Sequence, residues 1–453
     1  MKRYFVLLLC FLLCACTVAP HPSVTDEITT APTTGNGTTE ITTTEPPVTE
    51  PPATEPPATE PPVTEPPVTE PPATEPPATE PPATEPPVTE PPATEPPATE
   101  PPATEPPVTE PPATEPPATE PIVPPSNVLQ FDNPKDGIYN YCPTIITEAD
   151  GTRYIYYCTN KDSYKVIDYV GCRKGTPNAD GSYTWSEEAI VLSPSPEGAW
   201  DAHHTCDPSV IKGSFAYNGT TYSYLMAYLG CTSYDNQENK IGLAVANSPM
   251  GPFVKIGDKP LVDFKLDPAV SVFQWGVGQA SLVSMDKGGK VWLFYTRGDK
   301  NGTRTVVREC DLSNLDAPIL GSEIALSVNG LTNLNGHGDF MNNADIVYDS
   351  EKNRFYAASD CHPNPTSEPN YIAGSFRVNY MSAANLRSGL WRNLLVAGKS
   401  KTGAERNHNV GIARDEYGHL LDNGIITVYY TVSVTGNQSL WSYRIYEYNI
   451  KLK

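Results

Sequence analysis

The chain has 453 residues, 31 basic and 53 acidic, and its formal net charge of −22 excludes the basic footprint of a nucleic-acid binder. Much of that charge lies in one segment: residues 17–125 hold Asp26, Glu27, Glu40 and sixteen regularly spaced glutamates, while only Lys2 and Arg3 supply positive charge before Ser126. The remaining 328 residues carry 29 basic against 34 acidic groups, are close to neutral, and suffice to bury one large core.

Lys2 and Arg3 precede an apolar run over residues 4–13. That run is shorter than the roughly 20 residues of a spanning helix and matches the apolar centre of a secretory signal. It closes on Leu13-Cys14-Ala15-Cys16, which resembles a bacterial lipobox. The resemblance implies cleavage before Cys16, lipidation of its thiol and attachment to the outer face of a bacterial membrane. Residues 1–16 are therefore assigned to the signal and lipobox.

Within residues 17–125 the motif Thr-Glu-Pro-Pro-Ala/Val repeats every five residues from 44 to 121. Proline fixes φ and removes a backbone donor, so this segment is expected to be a disordered stalk of polyproline II character. At about 3.1 Å per residue its upper reach is roughly 240 Å. The third segment, residues 126–453, is expected to be an extracellular, monomeric globular domain.

Seven cysteines fall in that domain: Cys142, Cys158, Cys172, Cys206, Cys231, Cys310 and Cys361. They lack CxxC spacing, so they read as small buried hydrophobes with one or two disulfides among them.

Five short segments of the domain stack on one another: Cys142-Pro143-Thr144-Ile145-Ile146, Asp207-Pro208-Ser209-Val210-Ile211, Gln279-Ala280-Ser281-Leu282-Val283, Asn343-Ala344-Asp345-Ile346-Val347 and Asn409-Val410-Gly411-Ile412-Ala413. Their starts are 65, 72, 64 and 66 residues apart. A turn follows each, marked by Asp150-Gly151, Asn218-Gly219, Gly288-Gly289, Glu351-Lys352-Asn353 and Asp422-Asn423-Gly424. Apolar, mostly aromatic strands are predicted next over 153–159, 222–230, 291–297, 354–359 and 426–432. A further strand, such as 241–247 or 303–310, is predicted in most units. Short strands with turn signals and no long helical period give an all-β fold, and five such repeats give a five-bladed β-propeller. The first column of the stack (Cys142, Asp207, Gln279, Asn343, Asn409) is then expected to ring one mouth of the central channel.

Asp207-Pro208-Ser209-Val210-Ile211, its Tyr-rich following strand, the run Ile241-Gly242-Leu243-Ala244-Val245-Ala246-Asn247-Ser248-Pro249-Met250-Gly251-Pro252-Phe253, and His408-Asn409 resemble glycoside hydrolase family 43 and related five-bladed glycosidases. The resemblance implies extracellular glycosidase chemistry of the inverting type on plant or host polysaccharide, releasing pentose-type units such as xylose or arabinose. It requires no cofactor, and it implies a structural calcium or other ion on the axis near His408. The chain departs from the family pattern where the first-blade base aspartate belongs, which is Cys142, and offers only Gln279 in the third blade.

The remaining carboxylates define the candidates. Asp207 is expected to be the base, with Asp339, Asp345 or Glu405 as acid or pKa modulator. His203, His204, Trp200, Gln279, Asn343 and Arg406 are expected to contact sugar. Trp275 and Tyr141 are further aromatics near the mouths. Adjacent histidines cannot readily chelate one metal, so His203, His204 and Cys206 are not assigned to zinc. The competing reading is a catalytically silent surface glycan-binding propeller, which Cys142 favours.

Overall fold

The computed structural model describes residues 126–133, 135–232 and 237–452. The signal and lipobox, Cys16 and the Pro-Thr-Glu repeats lie outside the described residues.

Five antiparallel blades follow one another along the described residues, the first and last joined into one nine-stranded sheet. The first blade has its inner strand at Asn140–Thr147, then Arg153–Asn160 and Asp168–Pro177, with Tyr183–Trp185 and Ala189–Leu192 sharing its outer edge. The second runs His204–Tyr217, Thr220–Cys231, Lys240–Ala246 and Val254–Lys255. The third runs Gly276–Ser284, Lys290–Asp299 and Gly302–Asp311, edged by Ile319–Leu320 and Ile324–Ala325. The fourth runs Asp345–Asp349, Arg354–Asp360, Ser375–Ser382 and Arg392–Gly398. The fifth runs Arg406–Asp415, Ile425–Ser433 and Arg444–Lys451. Its outer strand is Val128–Leu129, from the beginning of the domain, paired with Glu447 and Tyr446. The five expected second strands all form, and each extends past its predicted bounds by one to two residues at one or both ends.

Apolar clusters fill every junction between neighbouring blades, which is what closes the ring. Ile146, Tyr156, Val210 and Met226 pack between blades one and two. Ile211, Leu225, Leu282 and Leu293 do so between two and three. Val283, Phe294, Ile346 and Phe355 fill the third junction, and Val347, Val378, Ile412 and Val428 the fourth. Ile145, Tyr157, Ala413 and Tyr429 join blade five to blade one. There the inner strands also pair directly in parallel, Ile145 with Ala413 and Thr147 with Asp415. The fold is a five-bladed β-propeller.

Around the axis, the third column of the stack holds the inner strands side by side. Ser209 Oγ accepts from Leu282 N at 2.9 Å, and Ser281 Oγ accepts from Ile346 N at 2.9 Å. Asp345 Oδ2 accepts from Ile412 N at 2.7 Å. The fifth member is Gly411, where a Cβ would lie 2.0 Å from the Pro143 carbonyl oxygen. Only glycine allows that approach of blade five to blade one.

Candidate active site

All five first-column residues have left-handed backbone: φ is 54° at Cys142, 47° at Asp207, 53° at Gln279, 47° at Asn343 and 44° at Asn409. Such values are uncommon outside glycine, and they occur here in one ring. In blades one, two, three and five the residue sits in a break of register within the inner strand, a β-bulge. In blade four it lies just ahead of Asp345–Asp349.

A bulge removes a backbone N–H from the ladder, and a buried N–H needs another acceptor. The preceding blade supplies it from its second strand. Thr431 Oγ1 accepts from Cys142 N at 3.3 Å, Cys158 Sγ from Asp207 N at 3.0 Å, Thr296 Oγ1 from Asn343 N at 3.3 Å, and Asp360 Oδ1 from Asn409 N at 3.2 Å. The five first-column residues line one axial cavity.

Asp207 is the ionisable group of that ring. Burial pushes its carboxyl up to about 6, reinforced by the charge of Asp168 and opposed by a hydrogen bond with Cys142 and by His408 and His204. Burial likewise raises the Cys142 thiol well above its usual value, with Asp207 adding to the shift. A disulfide, Cys158–Cys206, ties blade one to blade two beside this carboxyl. Asp207 Oδ1 lies 3.2 Å from Cys206 Sγ and 3.6 Å from Cys158 Sγ. Cys142, Cys172, Cys310 and Cys361 carry free thiols.

Next to the ring is a second, aromatic opening lined by Tyr139, Tyr141, Tyr371 and Tyr443 with Asp168, His204, His408 and Asn409. Asn409 belongs to both cavities. Asp168 accepts from Tyr139 OH at 2.7 Å and Tyr141 OH at 3.2 Å, and lies 2.8 Å from His204 Nδ1. On the other side His408 Nδ1 lies 2.7 Å from Asp360 Oδ2, which also accepts from Asn343 Nδ2 at 2.6 Å. Two histidines, each backed by a carboxyl group, thus line one aromatic opening.

The sequence candidates separate on this geometry. Asp207, Asp345, Gln279 and Asn343 line the axial cavity, and His204 and His408 the aromatic opening. Asp345 is nevertheless a strut: Arg414 Nη2 donates to its Oδ1 at 2.6 Å, and its other oxygen holds the blade-five backbone. Asp339 is buried between Arg377, 2.6 Å away, and His362, 2.9 Å away. These partners outweigh burial and hold its carboxyl below the usual range. Glu405 is exposed and paired with Lys399. Of the three carboxyls expected to act as acid or pKa modulator, Asp339 and Asp345 are thus paired with buried cations and Glu405 faces solvent.

Among the expected sugar contacts, Arg406 is buried and donates to Ser367 O and Oγ, both at 2.9 Å. Trp200 stacks on Tyr228 with centroids 5.7 Å apart. Trp275 packs into the core with Cys158, Cys206 and Leu229. Burial, with the adjacent His204, holds the His203 imidazole below its usual value. Asp168 and Asp360 were not among the candidates. Asp168 opens its strand in Val166-Ile167-Asp168-Tyr169-Val170 and Asp360 closes its own in Ala357-Ala358-Ser359-Asp360, and an acid in such an apolar run is the signal that marks them.

An axial ion of the kind the resemblance implies would meet a mixed set of donors. Calcium takes six to eight hard oxygen ligands. The ring offers the Asp207 carboxyl and the buried, unpartnered amide oxygens Asn343 Oδ1 and Asn409 Oδ1, beside the Cys142 thiol and a disulfide. Disulfide bonding of Cys158 also removes the thiolate that a softer ion would need.

No family model matches the chain, and no curated protein matches its sequence. Solved structures with a similar fold include a thermostable family-43 glycoside hydrolase, at 16% identity over 71% of this chain and 93% of that one, with a TM-score of 0.46. An endo-arabinase from Bacteroides thetaiotaomicron gives 14% identity over 74% and 99%, with a TM-score of 0.42. An α-L-arabinofuranosidase from Podospora anserina, solved with cellotriose, gives 12% over 74% and 96%, with a TM-score of 0.46.

Proposed function

We propose that the propeller binds carbohydrate at its axial mouth and hydrolyses an O-glycosidic bond there, acting on pentose-type units such as xylose or arabinose. Asp207 is the proton donor and Asp168 the acceptor that draws a proton from water. The observation that carries this reading is the place of Asp207, a carboxyl buried where it lines the axial cavity; burial pushes it up to about 6, toward the proton-holding form a donor needs. The role differs from the base assigned to it on sequence, because a raised pKa suits a donor.

Inverting hydrolysis uses two carboxyls roughly 6.5–9.5 Å apart, one protonated and one ionised. Asp207 Oδ1, Cys206 Sγ, Tyr141 OH and Asp168 Oδ2 follow one another at 3.2, 3.1 and 3.2 Å. The carboxyls therefore lie no further apart than the roughly 9.5 Å limit of that window. Tyrosine faces beside histidine and carboxyl groups make the apolar floor and polar rim that suit a sugar. The resemblance of residues 241–253 and of His408-Asn409 to family 43 supports the same chemistry. The Leu13-Cys14-Ala15-Cys16 motif supports export and lipid anchoring, with the repeat stalk carrying the domain outward.

The test is hydrolysis of aryl xylosides, aryl arabinofuranosides and arabinoxylan by the full chain, its Asp207→Asn variant and its Asp168→Asn variant. The reading expects turnover by the parent and its loss in both variants. Turnover unaffected by Asp207→Asn removes the proposed donor. A second reading, glycan capture without turnover, is favoured by the uncharged Cys142 and Gln279 in the ring. It expects saturable binding of xylan or arabinan fragments with no product formed.

A further inference from the structure

Three sulfur atoms and one carboxyl meet where blades one and two reach the axis. Cys142 Sγ, Cys158 Sγ and an Asp207 carboxyl oxygen all lie within 4.8 Å of one another. Cys158 is disulfide-bonded to Cys206, whose sulfur is 3.2 Å from Asp207 Oδ1. The Cys142 thiol and the Asp207 carboxyl face each other within that 4.8 Å. A free thiol, a disulfide and a group able to carry a proton between them are thus in one place.

We propose that Cys142, Cys158 and Cys206 form a disulfide-exchange site at the propeller axis, with Asp207 carrying the proton. The Cys142 thiol gives its proton to the Asp207 carboxylate as its sulfur attacks Cys158 Sγ. The Cys142–Cys158 bond forms while the Cys158–Cys206 bond breaks, and the bonding electron pair leaves on Cys206 Sγ. Asp207, within reach of that sulfur, returns the proton to it. One thiol and one disulfide stand on each side of the step, so no oxidant or reductant is consumed.

Two observations set this apart from structural sulfur. The acceptor positions equivalent to Cys158 in other blades are Thr431, Thr296 and Asp360, so capping a bulge N–H does not call for cysteine. Cys142 is held with φ at 54°, which fixes it on the axis beside the disulfide. The exchange also changes what is tied together. Cys158–Cys206 joins blade one to blade two, whereas Cys142–Cys158 joins neighbouring strands of blade one, where Tyr141 pairs with Cys158. Exchange therefore releases Asp207 and its strand from blade one and places a thiol at Cys206, 3.1 Å from Tyr141 OH in the aromatic opening.

The local carboxylate gives the site a signature. Burial raises the Cys142 thiol well above its usual value, so an unassisted thiol here is a poor nucleophile near neutral pH. Exchange that uses Asp207 as base instead rises as that carboxyl ionises near pH 6, then levels.

The full chain is incubated from pH 5 to 9, quenched in mild acid, labelled there with N-ethylmaleimide and mapped by mass spectrometry without reduction. The expected product is a Cys142–Cys158 disulfide with label on Cys206, formed at a rate that rises around pH 6 and levels. In Asp207→Asn the rate should fall by the roughly 10²-fold or more that a positioned base contributes. Label confined to Cys142 across the range, or the same profile in Asp207→Asn, overturns the proposal. As a second measurement, folded Cys206→Ser held under air should form the Cys142–Cys158 disulfide; recovery of both as thiols contradicts the arrangement.

Discussion

Asp207→Asn replaces a buried acid by a neutral group of the same shape, and its effect on stability follows from the carboxyl's surroundings. The folded chain holds this proton with a pKa of about 6, against 3.8 for the unperturbed group. The folded state therefore binds the proton more tightly than the unfolded state. The associated stability is complete below the unfolded value and is lost as pH rises through the folded one. About two units at 1.36 kcal/mol each give a loss of about 3 kcal/mol between pH 4 and pH 7. Near pH 4 the variant should match the parent. At pH 7.5 it should be the more stable by up to about 3 kcal/mol, less any weakening of the hydrogen bond to Cys142. For a domain of this size that is a Tm difference of roughly 4 °C. Thermal and urea unfolding of both proteins at pH 4, 5.5 and 7.5 measure it. Parallel curves at every pH, or a variant less stable at pH 7.5, would refute the account of Asp207 as an acid kept in place against its own desolvation.

The strut and the closure make further predictions. Asp345→Ala leaves Arg414 buried without its carboxylate and should destabilise the domain by about 3–5 kcal/mol in chemical denaturation; Asp345→Asn should cost less because it retains an acceptor. Cys158→Ser opens a loop spanning 48 residues of sequence separation, and chain entropy predicts a loss of about 4 kcal/mol by the same assay. Deleting residues 126–130 removes the strand that pairs with Glu447 and Tyr446 and should lower Tm. Glu405→Gln removes an exposed ion pair with Lys399, and should change stability by less than about 1 kcal/mol and glycoside turnover not at all.

The repeat was legible because each blade begins with the same structural event. A polar residue or cysteine with left-handed backbone, followed two residues later by a small or polar residue and then two apolar ones, recurs in all five blades, so stacking them located the axis and its ring. The turns and second strands followed from Gly, Asn and Asp punctuation and from aromatic runs. Blade five's outer strand was not legible, because Val128–Leu129 is two residues long and pairs with a partner more than 300 residues away. Nor was the division of the carboxyls. Asp207 and Asp345 are both acids of the stacked segments, yet only the structure shows Arg414 reaching across to Asp345 while Asp207 meets sulfur and burial. Asp168 and Asp360 lie outside the stacked segments, and their histidine partners, His204 and His408, come from the following blade. Pairings between blades depend on closure of the ring, which no single segment reveals. The disulfide was anticipated only as one or two unspecified pairs for the same reason.

Steady-state hydrolysis as a function of pH, on whichever aryl pentoside or arabinoxylan fragment the full chain turns over, bears most directly on the central claim that Asp207 gives a proton to a leaving sugar. The account predicts kcat that declines as pH rises through about 6, where this carboxyl ionises, and turnover abolished in Asp207→Asn with sugar binding retained. Turnover that is level through that range and survives the substitution would contradict it.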